Sequence, residues 1–129
     1  FVIYYSYGET LMLKIYTSQY KYNGENRFDI TVKTGVKIFA PTWEMVMNYK
    51  NGIITKKQYT EMYISKMRQS YKNNRDLWEW LLKQKEAVLV CFCKSGDFCH
   101  RLLLADILVK LGAEYLGEIE VKILDEESK

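Results

Sequence analysis

The chain has 129 residues, of which 48% are hydrophobic and 27% are charged, and its net charge is +3. This composition is typical of one globular domain that is large enough to bury a core. It excludes a largely disordered chain, and no apolar run approaches the roughly twenty residues that a membrane helix needs. We therefore expect a single domain over 1–129, in which 1–10 form an edge strand or an arm and 125–129 form a flexible acidic tail.

The first third of the chain predicts strands. Residues 11–17 are rich in β-branched and aromatic side chains, and residues 28–33 alternate apolar with polar side chains. Both patterns are typical of strands that pack one face on a core. The pair Asn23-Gly24 favours a turn between them. Residues 36–40 are predicted to form a further short extended piece.

The middle of the chain predicts three helices. The first begins near Trp43 and ends at Asn51, the second is N-capped by Thr55, and the third spans 76–85. Helical spacing places three apolar side chains of the third helix on one side, namely Leu77, Trp80 and Leu81.

The last third predicts a strand, a helix and a second strand. Residues 88–93 are apolar on both faces, residues 99–111 follow the helical period up to Gly112, and residues 118–123 alternate. Strands interleaved with helices predict an α/β fold with a mostly parallel sheet of about four to five strands flanked by helices.

One segment carries most of the reactive side chains. All three cysteines, the only histidine and one arginine lie between Cys91 and Arg101. An odd number of cysteines so close together does not form the disulfide framework of a secreted protein. Cys91 and Cys93 on one strand are also poorly placed to bridge each other. We therefore expect reduced thiols and a cytoplasmic location.

The first interpretation of this segment is an anion site. A loop between a parallel strand and a helix presents backbone N–H groups and the positive end of the helix dipole. Arginine binds two phosphate oxygens at once, and glycine permits close approach of a ligand. Side chains after the first strand reach the same edge of a parallel sheet. The predicted ligand-binding residues are Thr17, Ser18, Tyr20, Lys94, Ser95, Gly96, Cys99, His100 and Arg101.

Two other interpretations stay open. Cys91, Cys93, Cys99 and His100 are candidate zinc ligands, although adjacent residues on a helix point in different directions. Alternatively, a thiol at the N-terminus of a helix is activated for catalysis, which makes Cys99 and His100 the candidate catalytic residues. The anion site is the leading hypothesis, and it requires neither a metal nor another cofactor.

The same segment resembles a known family. The order Cys-Phe-Cys-Lys-Ser-Gly-Asp-Phe-Cys-His-Arg over 91–101 is similar to the hallmark of the family catalogued as domain of unknown function four hundred and eighty-eight. Ile15-Tyr16-Thr17-Ser18 and Ala40-Pro41-Thr42-Trp43 resemble two further segments of that family, and the resemblance covers about 11–117. It implies an α/β fold, an origin in bacteria or their phages, and by analogy a role with nucleotides.

These observations predict a small protein that binds a nucleotide or another phosphate-bearing ligand. In a phage, such a protein would sequester a nucleotide second messenger of host defence. The alternative is an enzyme that hydrolyses nucleotides or cleaves their glycosyl bond with Cys99 or His100. A second alternative is a zinc-binding domain or a nucleic-acid accessory protein that uses the lysine- and tyrosine-rich residues 56–72. The mild charge favours a small ligand over nucleic acid, and the oligomeric state stays open.

Overall fold

A computed structural model of the chain describes residues 3–4, 10–93 and 98–121. Two short strands, β1 (Ile3–Tyr4) and β2 (Thr10–Leu11), pair antiparallel in a ribbon that is separate from the main sheet. The main sheet has the order β4-β5-β3-β6, and every pairing in it is parallel. Its strands are β3 (Lys14–Gln19), β4 (Arg27–Asp29), β5 (Glu86–Cys91) and β6 (Glu114–Ile119). The predicted α/β fold with a mostly parallel sheet is confirmed.

Four α-helices accompany this sheet in the described residues. They are α1 (Trp43–Lys50), α2 (Lys56–Asn73), α3 (Arg75–Leu82) and α4 (His100–Lys110). The predicted N-cap of α2 is confirmed, because the Thr55 side chain accepts from the backbone N–H of Gln58 and the Gln58 side chain accepts from Thr55 in return. Gly112 follows α4 with a φ of 111°, a conformation that favours glycine after a helix.

One hydrophobic core joins the helices to a face of the sheet. Ile15 and Leu89 from the central strands pack with Trp78, Leu104 and Leu108 from α3 and α4. The apolar run of β5 is buried from Ala87 to Cys91. This burial is expected for a central strand with a neighbour on either side. The core therefore fixes the position of α4 over the sheet, and with it the N-terminus of α4.

The strand predicted over 28–33 is shorter than expected. The carboxylate of Asp29 accepts a hydrogen bond from the backbone N–H of Thr31 at 2.8 Å and from the hydroxyl of Thr34 at 2.5 Å. These side-chain bonds compete with the strand ladder and turn the chain. The strand prediction is wrong beyond Asp29, and the turn brings Ile30 and Thr31 to the edge of the sheet.

Two other local predictions are wrong. Residues 36–40 are not extended, because Lys37–Phe39 form a single turn of 3-10 helix. The hydroxyl of Ser70 on α2 donates to the carbonyl of Ile38 at 2.6 Å and holds this turn. On α3 the buried side chains are Trp78, Leu81 and Leu82, and Trp80 is 49% exposed, so the predicted side was displaced by one residue.

The bounds of several elements also differ from the prediction. The first strand of the sheet begins at Lys14 instead of residue 11, and β6 begins at Glu114 instead of residue 118. A bulge in the pairing of β3 with β6, next to Gly117, adds a residue that side-chain alternation does not reveal. The predicted tail 125–129 lies outside the described residues.

Candidate functional site

A cleft of about 690 Å³ lies at the carboxyl edge of the sheet. It is bounded by the ends of β4 and β5, by α1 and the start of α2, and by the N-terminus of α4. Ligands bind at this edge in parallel α/β sheets because strand ends and helix N-termini meet there. The lining residues are Thr31, Val32, Val46, Tyr49, Lys50, Tyr59, Cys91, Phe92, Cys93, Phe98, Cys99 and His100.

The orientation of His100 is fixed by the end of β4. Its Nε2–H donates to the carbonyl of Ile30 at 2.6 Å, so Nδ1 carries the lone pair and faces the sulfur of Cys99 at 3.6 Å. Burial lowers the pKa of His100 from 6.5 to about 4. The imidazole is therefore neutral at pH 7 and directs an acceptor nitrogen towards the Cys99 sulfur.

The three cysteines converge on one point. The sulfurs of Cys91, Cys93 and Cys99 lie within 4.8 Å of one another. Those of Cys91 and Cys99 are at bonding distance, as in a disulfide. The prediction of reduced thiols is thus not met for this pair. Sequence analysis did not consider it, because the approach of Cys99 depends on the course of the loop between β5 and α4.

The guanidinium of Arg101 is buried beneath this cluster, and Arg101 is 0% exposed. It forms an ion pair with Glu118 on β6, in which Nη2 donates to Oε2 at 3.0 Å and Nε to Oε1 at 3.3 Å. Nη1 donates to the sulfur of Cys91 at 2.8 Å and to the carbonyl of Cys93 at 3.1 Å. Arg101 therefore connects α4 to β5 and β6, and it does not line the cleft. The binding of a ligand phosphate by Arg101 stays a prediction, and the proposed function does not depend on it.

Two predicted binding residues on β3 are engaged within the protein. The buried hydroxyl of Thr17 donates to Oε1 of Glu118 at 2.5 Å, and that of Ser18 donates to the carbonyl of Ile119 at 2.6 Å. Both bonds tie β6 to β3, and neither residue lines the cleft. Their role as ligand contacts stays a prediction.

Tyr20 and the loop residues have different placements. The ring of Tyr20 stacks on Phe92, a lining residue, with 4.4 Å between ring centroids. Tyr20 therefore supports the rim of the cleft. Lys94, Ser95 and Gly96 lie outside the described residues.

Sequence reasoning missed the aromatic wall of the cleft. The rings of Tyr49, Tyr59 and Phe98 contact one another with centroid distances between 5.4 and 5.7 Å. Burial raises the pKa of Tyr59, and Cys93 and Tyr49 add to the effect, so its hydroxyl remains a donor. The three residues come from α1, α2 and the loop before α4. In the sequence, Tyr49 and Phe98 lie next to the ends of predicted helices and Tyr59 lies on the apolar side of the second helix, and none of these positions indicates a cleft.

The sequence matches the model of a known family. Residues 6–112 match the model of DUF488-N3a, which is described as the active DUF488-N3 subclade. The chain belongs to the DUF488 family. In this DUF488 domain the Cys-Phe-Cys part of the motif, at the end of β5, meets Cys99 and His100, at the start of α4, in the lining of the cleft. The family resemblance predicted from these residues is confirmed.

Comparisons with curated proteins and with solved structures give no match for this DUF488 domain. Among the described residues, no helix combines the length and the apolar character needed to cross a membrane.

Proposed function

We propose that this DUF488 domain binds a small nucleotide-like ligand in the cleft. The observation that carries the proposal is an aromatic-walled cleft of about 690 Å³ at the carboxyl edge of a parallel sheet. Sites for small molecules and cofactors are commonly clefts of roughly 300–1,000 Å³ with apolar walls and a few convergent polar groups. A base fits such walls, because every base has a face that stacks on an aromatic ring.

The charges around the cleft suit a phosphate-bearing ligand. Lys50 lines the cleft, and the ammonium of Lys56 lies 4.8 Å from the centre of the Phe98 ring. No carboxylate is among the described residues that line it. Cys99, the N-cap of α4, makes no side-chain capping hydrogen bond, so the start of that helix adds a positive dipole end. The described residues therefore give this part of the cleft a positive electrostatic balance.

A second groove, on α1 and α2, suits such a ligand less well. This groove of about 760 Å³ is lined by Glu44, Glu61 and Lys66, among other residues. It contains no cysteine, histidine or aromatic ring among its described lining residues. The Lys66 ammonium is already bound to the carbonyl of Ala40 at 2.6 Å.

Ligand binding is tested with a panel of mononucleotides, cyclic nucleotides, NAD and ADP-ribose. We expect at least one member to raise the melting temperature, because a ligand that binds only the folded state stabilises it. Tyr49→Leu should weaken calorimetric binding of that ligand by about tenfold, in line with the roughly 1–3 kcal/mol of one base–aromatic stack. Trp80→Leu, at an exposed ring on α3 that does not line the cleft, is the matched control and should bind like the wild type. Equal losses in both variants would contradict the assignment of the cleft.

The second candidate function is an enzyme that processes the same ligand. It is favoured by the Cys99–His100 pair in the cleft wall and by the description of the matched subclade as active. In the reduced protein, Cys99 would transfer its proton to Nδ1 of His100, and the thiolate would attack an electrophilic carbon or phosphorus of the ligand. His100 would return the proton to the leaving group. Water would then hydrolyse the covalent intermediate and restore the thiol.

Product analysis after incubation with reduced protein separates the two functions. If the protein is an enzyme, the wild type should convert the ligand. Cys99→Ser and His100→Asn should bind it but lose at least about 100-fold in rate, the lower range for a group that transfers a proton. Complete recovery of unaltered ligand would contradict the hypothesis that the protein is an enzyme. That result would leave ligand binding as the function. In a phage, such binding would sequester a nucleotide second messenger.

A further inference from the structure

We infer that the reduced protein binds one zinc ion through the sulfurs of Cys91, Cys93 and Cys99. Cys91 ends β5, Cys93 lies two residues further on, and Cys99 is the N-cap of α4. Their sulfurs lie within 4.8 Å of one another. Zinc–sulfur bonds of about 2.3 Å place two thiolates of one tetrahedral site roughly 3.8 Å apart.

The backbone around the sulfurs also suits a metal. The Cα atoms of Cys91 and Cys99 are 7.7 Å apart. Disulfides usually span about 4.4–6.8 Å between Cα atoms, so this separation is wide for a direct sulfur–sulfur bond. In the reduced protein, where the sulfurs are no longer bonded to each other, a zinc ion between them would occupy the additional width. Metal binding requires that a small thiol or a phosphine first reduces the pair by two electrons, after which each of the three thiols releases a proton to bind the metal.

Two neighbouring groups stabilise thiolates at this point. Nη1 of Arg101 donates to the Cys91 sulfur at 2.8 Å inside the core. Such hydrogen bonds to ligand atoms are typical of the surroundings of metal sites. Cys99 lies at the positive end of α4, where the helix dipole favours an anion. Soft thiolate ligands select zinc over magnesium or calcium.

The cleft determines the kind of zinc site. All three cysteines line it, so three protein ligands would leave the fourth position directed at the cavity. An incomplete protein ligand set of this kind is typical of catalytic zinc rather than of structural zinc. Zinc bound to Cys99 would replace the thiol as the reactive group of the second candidate function. The inference does not depend on nucleotide binding.

Metal analysis of reduced protein tests the inference, with Cys93→Ser as the decisive variant. Protein purified with a phosphine should contain one zinc per chain. Cobalt added to metal-free protein should produce the intense sulfur-to-cobalt absorption of thiolate ligands. Cys93→Ser should bind zinc at least tenfold more weakly in competition with a chromogenic chelator, although it keeps both cysteines of the Cys91–Cys99 pair. Ser65→Ala, at an exposed position on α2, is the control and should bind one zinc.

Two results would overturn the zinc site. One is wild-type protein that binds no stoichiometric zinc or cobalt after full reduction. The other is a Cys93→Ser variant that binds zinc as tightly as the wild type. That result would show that only Cys91 and Cys99 act together, as a redox-active pair. Neither result affects the thermal-shift test of nucleotide binding, so failure of the zinc site and failure of the proposed function are distinguishable.

Discussion

Replacement of Arg101 by Met should lower the free energy of unfolding by about 3–5 kcal/mol, the typical loss when one partner of a buried ion pair is removed. Arg101 is 0% exposed, and Glu118 remains behind with a side chain only 20% exposed. In the variant the Glu118 carboxylate keeps the hydroxyl of Thr17 but loses both guanidinium bonds. Because a domain of this size has roughly 5–15 kcal/mol of stability, the effect is a large fraction of the total.

The matched control is the exposed ion pair on α3. Arg75 contacts Glu79 at 3.2 Å, with side chains 53% and 45% exposed. Arg75→Met should change stability by no more than about 1 kcal/mol. Urea denaturation of both variants measures the difference. Similar values for both would contradict the structural role of Arg101. The ligand affinity of the folded Arg101→Met variant then tests whether Arg101 binds a ligand phosphate. That role requires a lower affinity than in the wild type.

Acidification should destabilise the protein through His100. Burial, with repulsion from Arg101 and Lys66, lowers the pKa of His100 from 6.5 to about 4 despite the hydrogen bond to Ile30, which raises it. Between these two values the unfolded chain binds a proton that the folded chain does not. Stability contributed by the neutral imidazole is therefore complete above pH 6.5 and is lost as the pH falls towards 4. A difference of this size corresponds to about 3 kcal/mol.

The measurement compares wild type with His100→Gln, whose amide extends to the position of Nε2 and can donate to the Ile30 carbonyl but does not titrate. Both proteins are unfolded in urea at several pH values between 7 and 4, with EDTA present so that no metal contributes. Wild type should lose about 3 kcal/mol more than the variant over this range. Parallel pH profiles would show that His100 is not a buried neutral base.

The fold was predictable where local patterns and global packing agree. Thr55 marked the start of α2 and Gly112 the end of α4, because caps and left-handed turns are local properties. The apolar run of β5 indicated a central parallel strand. Asp29 shows the opposite case, in which a strand pattern continues through 33 but a side chain captures the backbone and turns it.

The position of the site was predictable, but the contacts between its side chains were not. The Cys-Phe-Cys to Cys-His-Arg segment located the cleft floor, since strand ends and helix starts meet at one edge of the sheet. Glu118 could not be assigned to Arg101, because their contact joins α4 to β6 through tertiary packing alone. For the same reason the sequence did not reveal the bonds of the Arg101 guanidinium within the protein, and its contact with a ligand stays a prediction.

The aromatic wall illustrates a second limit. Tyr59 falls on the apolar side of α2, and helical periodicity alone assigns such a residue to the core. Only the assembled fold shows that the same ring also faces the cleft next to Tyr49 and Phe98. Position along a helix therefore accounts for the burial of Tyr59 but does not indicate proximity to a ligand.

The most direct test of the cleft is an NMR titration of labelled, reduced protein with the ligand that gives the largest thermal shift. If the cleft is the binding site, resonances of Thr31, Tyr49, Cys93 and His100 should move with ligand concentration, while those of Trp80 and Val109 stay in place. Saturating changes centred on the groove between α1 and α2 would contradict the account, and so would the absence of any change with every member of the panel.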